Sequence, residues 1–447
     1  MARFLMISCN KVDSPYPVYP LGANIVASAV REAGHEVKLI DIFVDGENNL
    51  ENEIKDYQPD YIGLSLRNVD NVCFNESSLF FSQYKSLVEK IKKVSNATII
   101  LGGSAFTIFP EKFLEYLGAD YGIKGAGEIS LPKLIDQLEK KKKPHERIIQ
   151  GEVSFSSKNN IFLNRDNKLS SFYLTKGGML NVFTKKGCPH NCLYCSYPSL
   201  EGKKYLYRDP KNVVDEIEYL IKEHTADFIF FTDSVFNDRA KNYLLIIEEM
   251  IRRNIRISWT CYMRPDKFDR EEVKLLKKSG LHCVEWGTDC SSDQTLKGMN
   301  KDFKWEDVKN SNDLFAEYEI PNSHFIIFGG PGETLSTLEE GIKNLSELKY
   351  CVIFGGIGIR IFPHTGIFDL AIKRGLVKNE DELFYKEIYY FSEDINPEWL
   401  DNYLKEVFKN QQNWFYPYTG FTEKNYFLHN SGFRGPLWDL LLRSKRR

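Results

Sequence analysis

Short apolar runs alternate with amphipathic stretches through the first third of the chain. RFLMIS (residues 3–8) reads as a strand, LGANIVASAVREAG (21–34) carries apolar residues at helical spacing and ends on a glycine, and EVKLIDIF (36–43) alternates as a strand. The cycle repeats: YIGLSL (61–66) precedes a helix ending near Ser95, TIILGG (98–103) precedes PEKFLEYLG, and ADYGIKG (119–125) supplies a fifth strand. Strands and helices alternating over short connections predict a doubly wound, flavodoxin-like parallel sheet over residues 1–143, with ligands at the C-terminal strand ends.

Residues 144–176 turn polar and rich in Asn and Ser, which predicts a linker carrying a β-hairpin. Alternation resumes in residues 177–370 as six cycles. The strands are MLNVFT, DFIFFTD, ISWTCYM, CVEWGTD, SHFIIFG and GIGIRIF (356–362), separated by helices over 212–223, 241–253, 270–279, 305–318 and 335–348. Six cycles predict a partial (β/α)6 barrel whose functional loops follow the strands. Residues 371–447 read as an α-rich extension that becomes loop-rich and aromatic; Trp414, Tyr416 and Tyr418 there stack on a ring or pack a core.

Composition narrows the function. A net charge of -3 with interspersed signs predicts neither a nucleic-acid footprint nor a polybasic membrane patch. No apolar run reaches spanning length and no leader is evident, so a cytoplasmic protein is expected. Cys9, Cys73, Cys261, Cys283, Cys290 and Cys351 are scattered in apolar runs, as reduced structural thiols are.

Cys188, Cys192 and Cys195 are different. They form C-x3-C-x2-C just after the first strand of the second unit, in a loop bent by Gly187 and Pro189. Three thiolates suit three corners of a [4Fe-4S] cubane with one iron left open; soft sulfur also suits zinc, but a closed zinc site asks for a fourth protein ligand, and His190 is badly spaced to supply it.

With Tyr194 immediately before the last cysteine, this stretch resembles the radical S-adenosylmethionine (SAM) enzymes. In that family SAM chelates the open iron, and reductive cleavage yields a 5'-deoxyadenosyl radical. The resemblance continues at the later strand ends. FTDSVF places Asp233 near the SAM amino group, YMRPD supplies Arg264, and WGTDCSSDQTLKGMNK supplies Asp289 where glutamate is commoner. FGGPGET supplies Gly330 and Pro331, and IRIFPHT, with Arg360 and Pro363, borders adenine and carries His364 in place of the usual glycine.

The first unit resembles the cobalamin-binding domain that precedes the barrel in one large radical SAM class. The resemblance rests on YPVYPLGANIV, LSLRNVDN and LGGSAFTIF with its continuation to KGAGE, and it implies cobalamin contacts by Tyr19, Leu21, Gly22, Ser65, Arg67, Asn68, Gly102, Gly103, Gly125 and Glu128. Glycines at Gly102, Gly103, Gly125 and Gly127 let backbone approach a flat macrocycle. The loop over residues 8–22 contains no histidine, so cobalt is expected without a histidine below it, with Arg67 facing that surface.

The resemblance thus implies a cobalamin-dependent radical SAM enzyme: a methyltransferase acting on an unactivated carbon of a small-molecule, natural-product or lipid substrate. The alternative is cyclisation or rearrangement with the same cofactors, and a non-catalytic cofactor sensor is a third reading. An external electron donor such as flavodoxin or ferredoxin is expected, the substrate should lie between the two units, and no acid/base pair is identifiable from spacing.

Overall fold

A computed structural model describes residues 1–153, 164–418 and 422–443. The first unit contains strands β1 (Arg3–Ser8), β2 (Glu36–Asp41), β3 (Tyr61–Ser65), β4 (Thr98–Gly102), β5 (Tyr121–Lys124) and β6 (Ile148–Gln150). They form one parallel sheet in the order β2-β1-β3-β4-β5-β6. The order reverses direction between β1 and β3, the switch point at which such sheets leave a crevice. Near-continuous apolar strands such as β3 are buried because helices cover both faces.

The segment expected to be a linker is more regular than its composition suggested. β6 extends the first sheet, and Asn167–Gly177 is a helix. Asp166 caps it, its carboxylate accepting the Leu169 N–H at 2.8 Å, and Gly178 ends it in the left-handed region. Leu169, Tyr173 and Leu174 turn one face into the core, enough to offset an otherwise polar composition. The central residues of the expected hairpin, 154–163, lie outside the described residues.

The second unit contains β7 (Leu180–Val182), a ribbon of β8 (Lys185–Lys186) and β9 (Leu206–Tyr207), then β10 (Phe228–Phe231), β11 (Ser258–Met263), β12 (Val284–Asp289), β13 (Asn322–Phe328), β14 (Cys351–Ile357), a ribbon of β15 (Ile359–Arg360) and β16 (Tyr389–Tyr390), and β17 (Trp414–Phe415). The large sheet is parallel, in the order β17-β14-β13-β12-β11-β10-β7, and its two edges do not pair, so the barrel is open. Two expectations are corrected here. The sixth strand is β14, starting five residues before the expected one, because Gly358 at φ +70° ends it and sends β15 into an antiparallel pair. The extension also supplies a seventh strand, β17, beside β14.

The extension fastens the two units together. Phe384 stacks on Phe81 of the first unit at 4.3 Å and meets Phe109, Phe113 and Tyr116 edge-on. Burying one such ring is worth about 1.5–3 kcal/mol. One apolar core therefore runs from β1 of the first unit through β14 to the helix Pro397–Lys409.

Candidate functional site

The cysteine loop leaves β8 on a turn that requires glycine. Gly187 has φ +83°, and a Cβ there would lie 2.1 Å from the Lys204 carbonyl oxygen. Cys188 N–H donates to Gly202 O at 3.0 Å, Leu193 N–H to Met299 O at 3.0 Å and Cys195 N–H to Cys192 O at 3.1 Å, so the loop is tied to its own return and to the segment that follows β12. The His190 and Tyr197 N–H groups donate to the Cys188 and Cys195 sulfurs. Burial pushes the Cys195 thiol up to about 12 and raises Cys188 as well. The positive charges of Arg264 and Lys301 act on these thiols from opposite partners, Arg264 on Cys188 and Lys301 on Cys195.

This donor set fits an iron-sulfur cluster. Three soft sulfurs rise from one loop, amide N–H groups aim at two of them, and two cations offset the negative charge that thiolate ligation brings. Among the described residues no three His, Cys, Asp or Glu side chains converge on a point where a single ion would sit. His190 is half-buried and faces Asp302 at 3.9 Å, and burial, with Arg264 nearby, pushes its ring down to about 4.

The residues expected around SAM are held by the chain itself. Asp233 accepts from the Thr184 N–H (2.7 Å), the Thr184 hydroxyl (2.8 Å) and the Lys185 N–H (3.0 Å), pinning the strand end that launches the cysteine loop. Arg264 donates to Asp302 and lies 5.2 Å from the Phe303 ring. Asp289 occupies the left-handed region at φ +61°, beside an irregularity in the β12–β13 register, and its carboxylate accepts the Tyr194 hydroxyl at 2.6 Å and the buried Lys301 ammonium. Gly330 and Pro331 pack against the short helix Asp293–Gly298, where a Cβ on Gly298 would come within 1.9 Å of Pro331 O. Pro363 is buried, and His364 beside it has φ +60°, a conformation that favours the glycine it replaces. Arg360 departs from expectation. Its guanidinium is buried against Asp70 and the carbonyls of Ile361 and Leu383, which leaves the side chain no freedom to meet a ligand.

A cavity of about 1850 Å³ opens at the strand ends of the first unit and runs past residues 196–202, which follow the cysteines, to the inner face of the large sheet. All ten residues expected at cobalamin border it: Tyr19, Leu21 and Gly22 after β1, Ser65, Arg67 and Asn68 after β3, Gly102 and Gly103 after β4, and Gly125 and Glu128 after β5. A Cβ on Gly22 or Gly102 would meet nothing within 4 Å, so both present bare backbone to open space, as a macrocycle laid flat requires. Gly103 is tighter, at φ +94° with a Cβ position 2.4 Å from Leu66 O. The Arg67 guanidinium has no hydrogen bond or ion pair among the described residues and is exposed into this space. Glu128 is tied across the units by Lys186, which donates to it at 2.7 Å.

Several residues of the site and of the cavity wall escaped the sequence reading. Lys301 lies in the M-x-K segment but was not singled out, and only the fold puts it on Asp289. Glu285 is the second residue of β12, with no flanking motif, and Lys424 and Trp438 reach the cavity from the extension, where Tyr418, expected to stack on a ring or pack a core, also lines it. Alternation along β12 places Glu285 opposite the helix-facing Trp286, the one signal in the sequence that could have marked it as inward.

The comparisons agree with this division. Residues 7–135 match the B12 binding domain model and residues 182–345 match that of the radical SAM superfamily. Tryptophan 2-C-methyltransferase of Streptomyces laurentii is 24% identical over 445 residues, covering 81% of this chain and 73% of its own. The structure of TsrM, a radical SAM methyltransferase from Kitasatospora setae with tryptophan and a SAM analogue bound, superposes with a TM-score of 0.87 at 21% identity over 100% of this chain and 99% of its own. OxsB, a cobalamin-dependent SAM radical enzyme with aqua-cobalamin bound, gives 0.70 at 17% identity over 99% and 72%. At these identities the structural likeness is one of fold. Two domain matches in order, with the cysteine loop and the glycine cradle in place, give the assignment: the chain belongs to the radical SAM superfamily and carries a B12-binding domain ahead of its radical SAM domain.

Proposed function

We propose that the chain is a cobalamin-dependent radical SAM C-methyltransferase acting on a small organic substrate. One observation carries the reading: a single cavity joins the cobalamin cradle to the inner face of the barrel sheet, passing the loop that follows the cysteines. A methyl donor and an acceptor carbon can meet only in a shared, closed space. The names of relatives, tryptophan 2-C-methyltransferase and hopanoid C-3 methylase among them, support methyl transfer over rearrangement.

When bound, the cluster, SAM and cobalamin supply electron transfer, SAM cleavage and methyl donation. The protein supplies the setting. Cys188, Cys192 and Cys195 would hold three irons; Arg264 and Lys301 balance the charge there. Gly22 and Gly102 would give the macrocycle room, and Arg67, which cannot coordinate a metal, would face it without supplying a ligand. Lys186 with Glu128 braces the units at the cavity rim. An external donor such as flavodoxin or ferredoxin would reduce the cluster. A cytoplasmic setting suits nine free cysteines, and no helix among the described residues is long and apolar enough to cross a membrane.

SAM labelled in its methyl group tests the proposal with anaerobically reconstituted protein and candidate small molecules. Label appearing on a carbon of the product is the expected result. Deoxyadenosine release with unlabelled, rearranged product would replace methyl transfer by the rearrangement reading.

A further inference from the structure

One side chain from each of six strands of the large sheet makes the inner wall of the cavity: Phe230, Tyr262, Glu285, Phe325, Phe354 and Phe415. Five are aromatic. Phe354 stacks between Phe325 (5.1 Å, 18° between planes) and Phe415 (5.7 Å, 28°), giving a continuous ring surface. Glu285 interrupts it and is only 2% exposed. Its Oε1 accepts the Trp438 indole N–H at 3.3 Å, while Oε2 accepts no hydrogen bond among the described residues. No cation of the described residues forms a hydrogen bond or ion pair with it, although Arg67, Lys124, Lys185, Lys186 and Lys424 border the same cavity.

A carboxyl enclosed by rings is comfortable protonated, or ionised opposite a cation. The described residues bring no cation to it, and aromatic faces attract cations in their own right. A purely structural partner for Trp438 would need only a neutral acceptor such as glutamine. We propose that Glu285 anchors a protonated amine, and that the substrate is an amine borne on a flat apolar or aromatic body that lies along Phe325, Phe354 and Phe415. This deepens the methyl-transfer reading and rests on it only in taking the occupant of the cavity's barrel side as substrate.

Calorimetric titration of the cluster- and cobalamin-loaded protein, without SAM, tests it with three probes of one shape: tryptamine, 3-ethylindole and indole-3-propionate. Tryptamine should bind about tenfold or more tighter than the neutral and anionic probes. Glu285→Gln should abolish that preference while leaving 3-ethylindole affinity unchanged, and Trp438→Phe, which keeps the carboxylate, should preserve it. Equal binding of the three probes to the wild type, no tryptamine binding, or a preference that survives Glu285→Gln overturns the proposal. Because SAM is absent, this result is independent of whether label from SAM reaches any product.

Discussion

Arg360 Nε donates to Asp70 Oδ2 at 2.7 Å, across 290 positions of sequence, with both side chains buried. Asp70 follows β3 of the first unit and Arg360 ends β15 of the second, so this pair fixes how the cobalamin cradle faces the barrel. The guanidinium also donates to Ile361 O at 2.8 Å and Leu383 O at 3.2 Å, which compensates much of its desolvation.

Removing one partner of this pair strands the other charge in an apolar setting. Asp70→Asn should therefore lower stability by about 3–5 kcal/mol, whereas Asp70→Leu combined with Arg360→Met should recover most of the loss. Chemical denaturation followed by tryptophan fluorescence reads this directly. A single Asp70→Asn variant as stable as the wild type would mean the pair does not hold the units.

Each cysteine of the loop should be needed for the cluster. Cys188→Ser, Cys192→Ser and Cys195→Ser should each reduce iron and sulfide bound after anaerobic reconstitution, while Cys351→Ser, buried at the N-terminal end of β14, should leave the content unchanged. Iron analysis of the four variants decides the point.

Neighbouring glycines of the cradle should respond differently to the same change. Gly102→Leu meets open space, so it should fold normally yet exclude hydroxocobalamin from the cavity. Gly103→Leu collides with backbone at 2.4 Å in a left-handed conformation and should lose folded protein outright. Thermal melting beside cobalamin uptake separates the two. Normal uptake by Gly102→Leu would place the macrocycle elsewhere.

Glu333 links the geometry of its own loop to pH. Burial pushes its carboxyl up to about 7, although the Gly329 and Gly330 N–H groups pull it down. The folded state keeps a proton that the unfolded chain releases near pH 4.5. Its stability contribution is therefore complete at lower pH and declines as pH rises from about 4.5 to about 7, by roughly 3 kcal/mol. Glu333→Gln should flatten that part of the stability-pH curve; Glu285, also pushed up to about 7 by burial, adds a slope of the same sign that the variant leaves in place. Denaturation midpoints between pH 5 and 8 give the comparison.

Much of this was legible because the signals are local. A strand period of two, a helix period near 3.6, the glycines at strand ends and three cysteines within eight positions all act over a few residues, so the two α/β units, the cluster loop and the cradle could be read in order along the chain. The helix Asn167–Gly177 and the seventh strand β17 were not legible: a polar helix is made stable by the face it buries, and a two-residue strand exists only because β14 offers it an edge.

The sequence by itself determined which cofactor chemistry the chain can host, since thiol spacing and bare backbone are properties of neighbouring residues. Only the tertiary structure decided what else those residues touch. Arg360 reads as a ligand-binding residue in its strand-end motif, yet Asp70 takes its charge. Glu285 reads as one polar position in an apolar strand, yet it faces a ring-lined cavity. Contacts between residues hundreds of positions apart depend on how two sheets and an extension pack, and no local period encodes that.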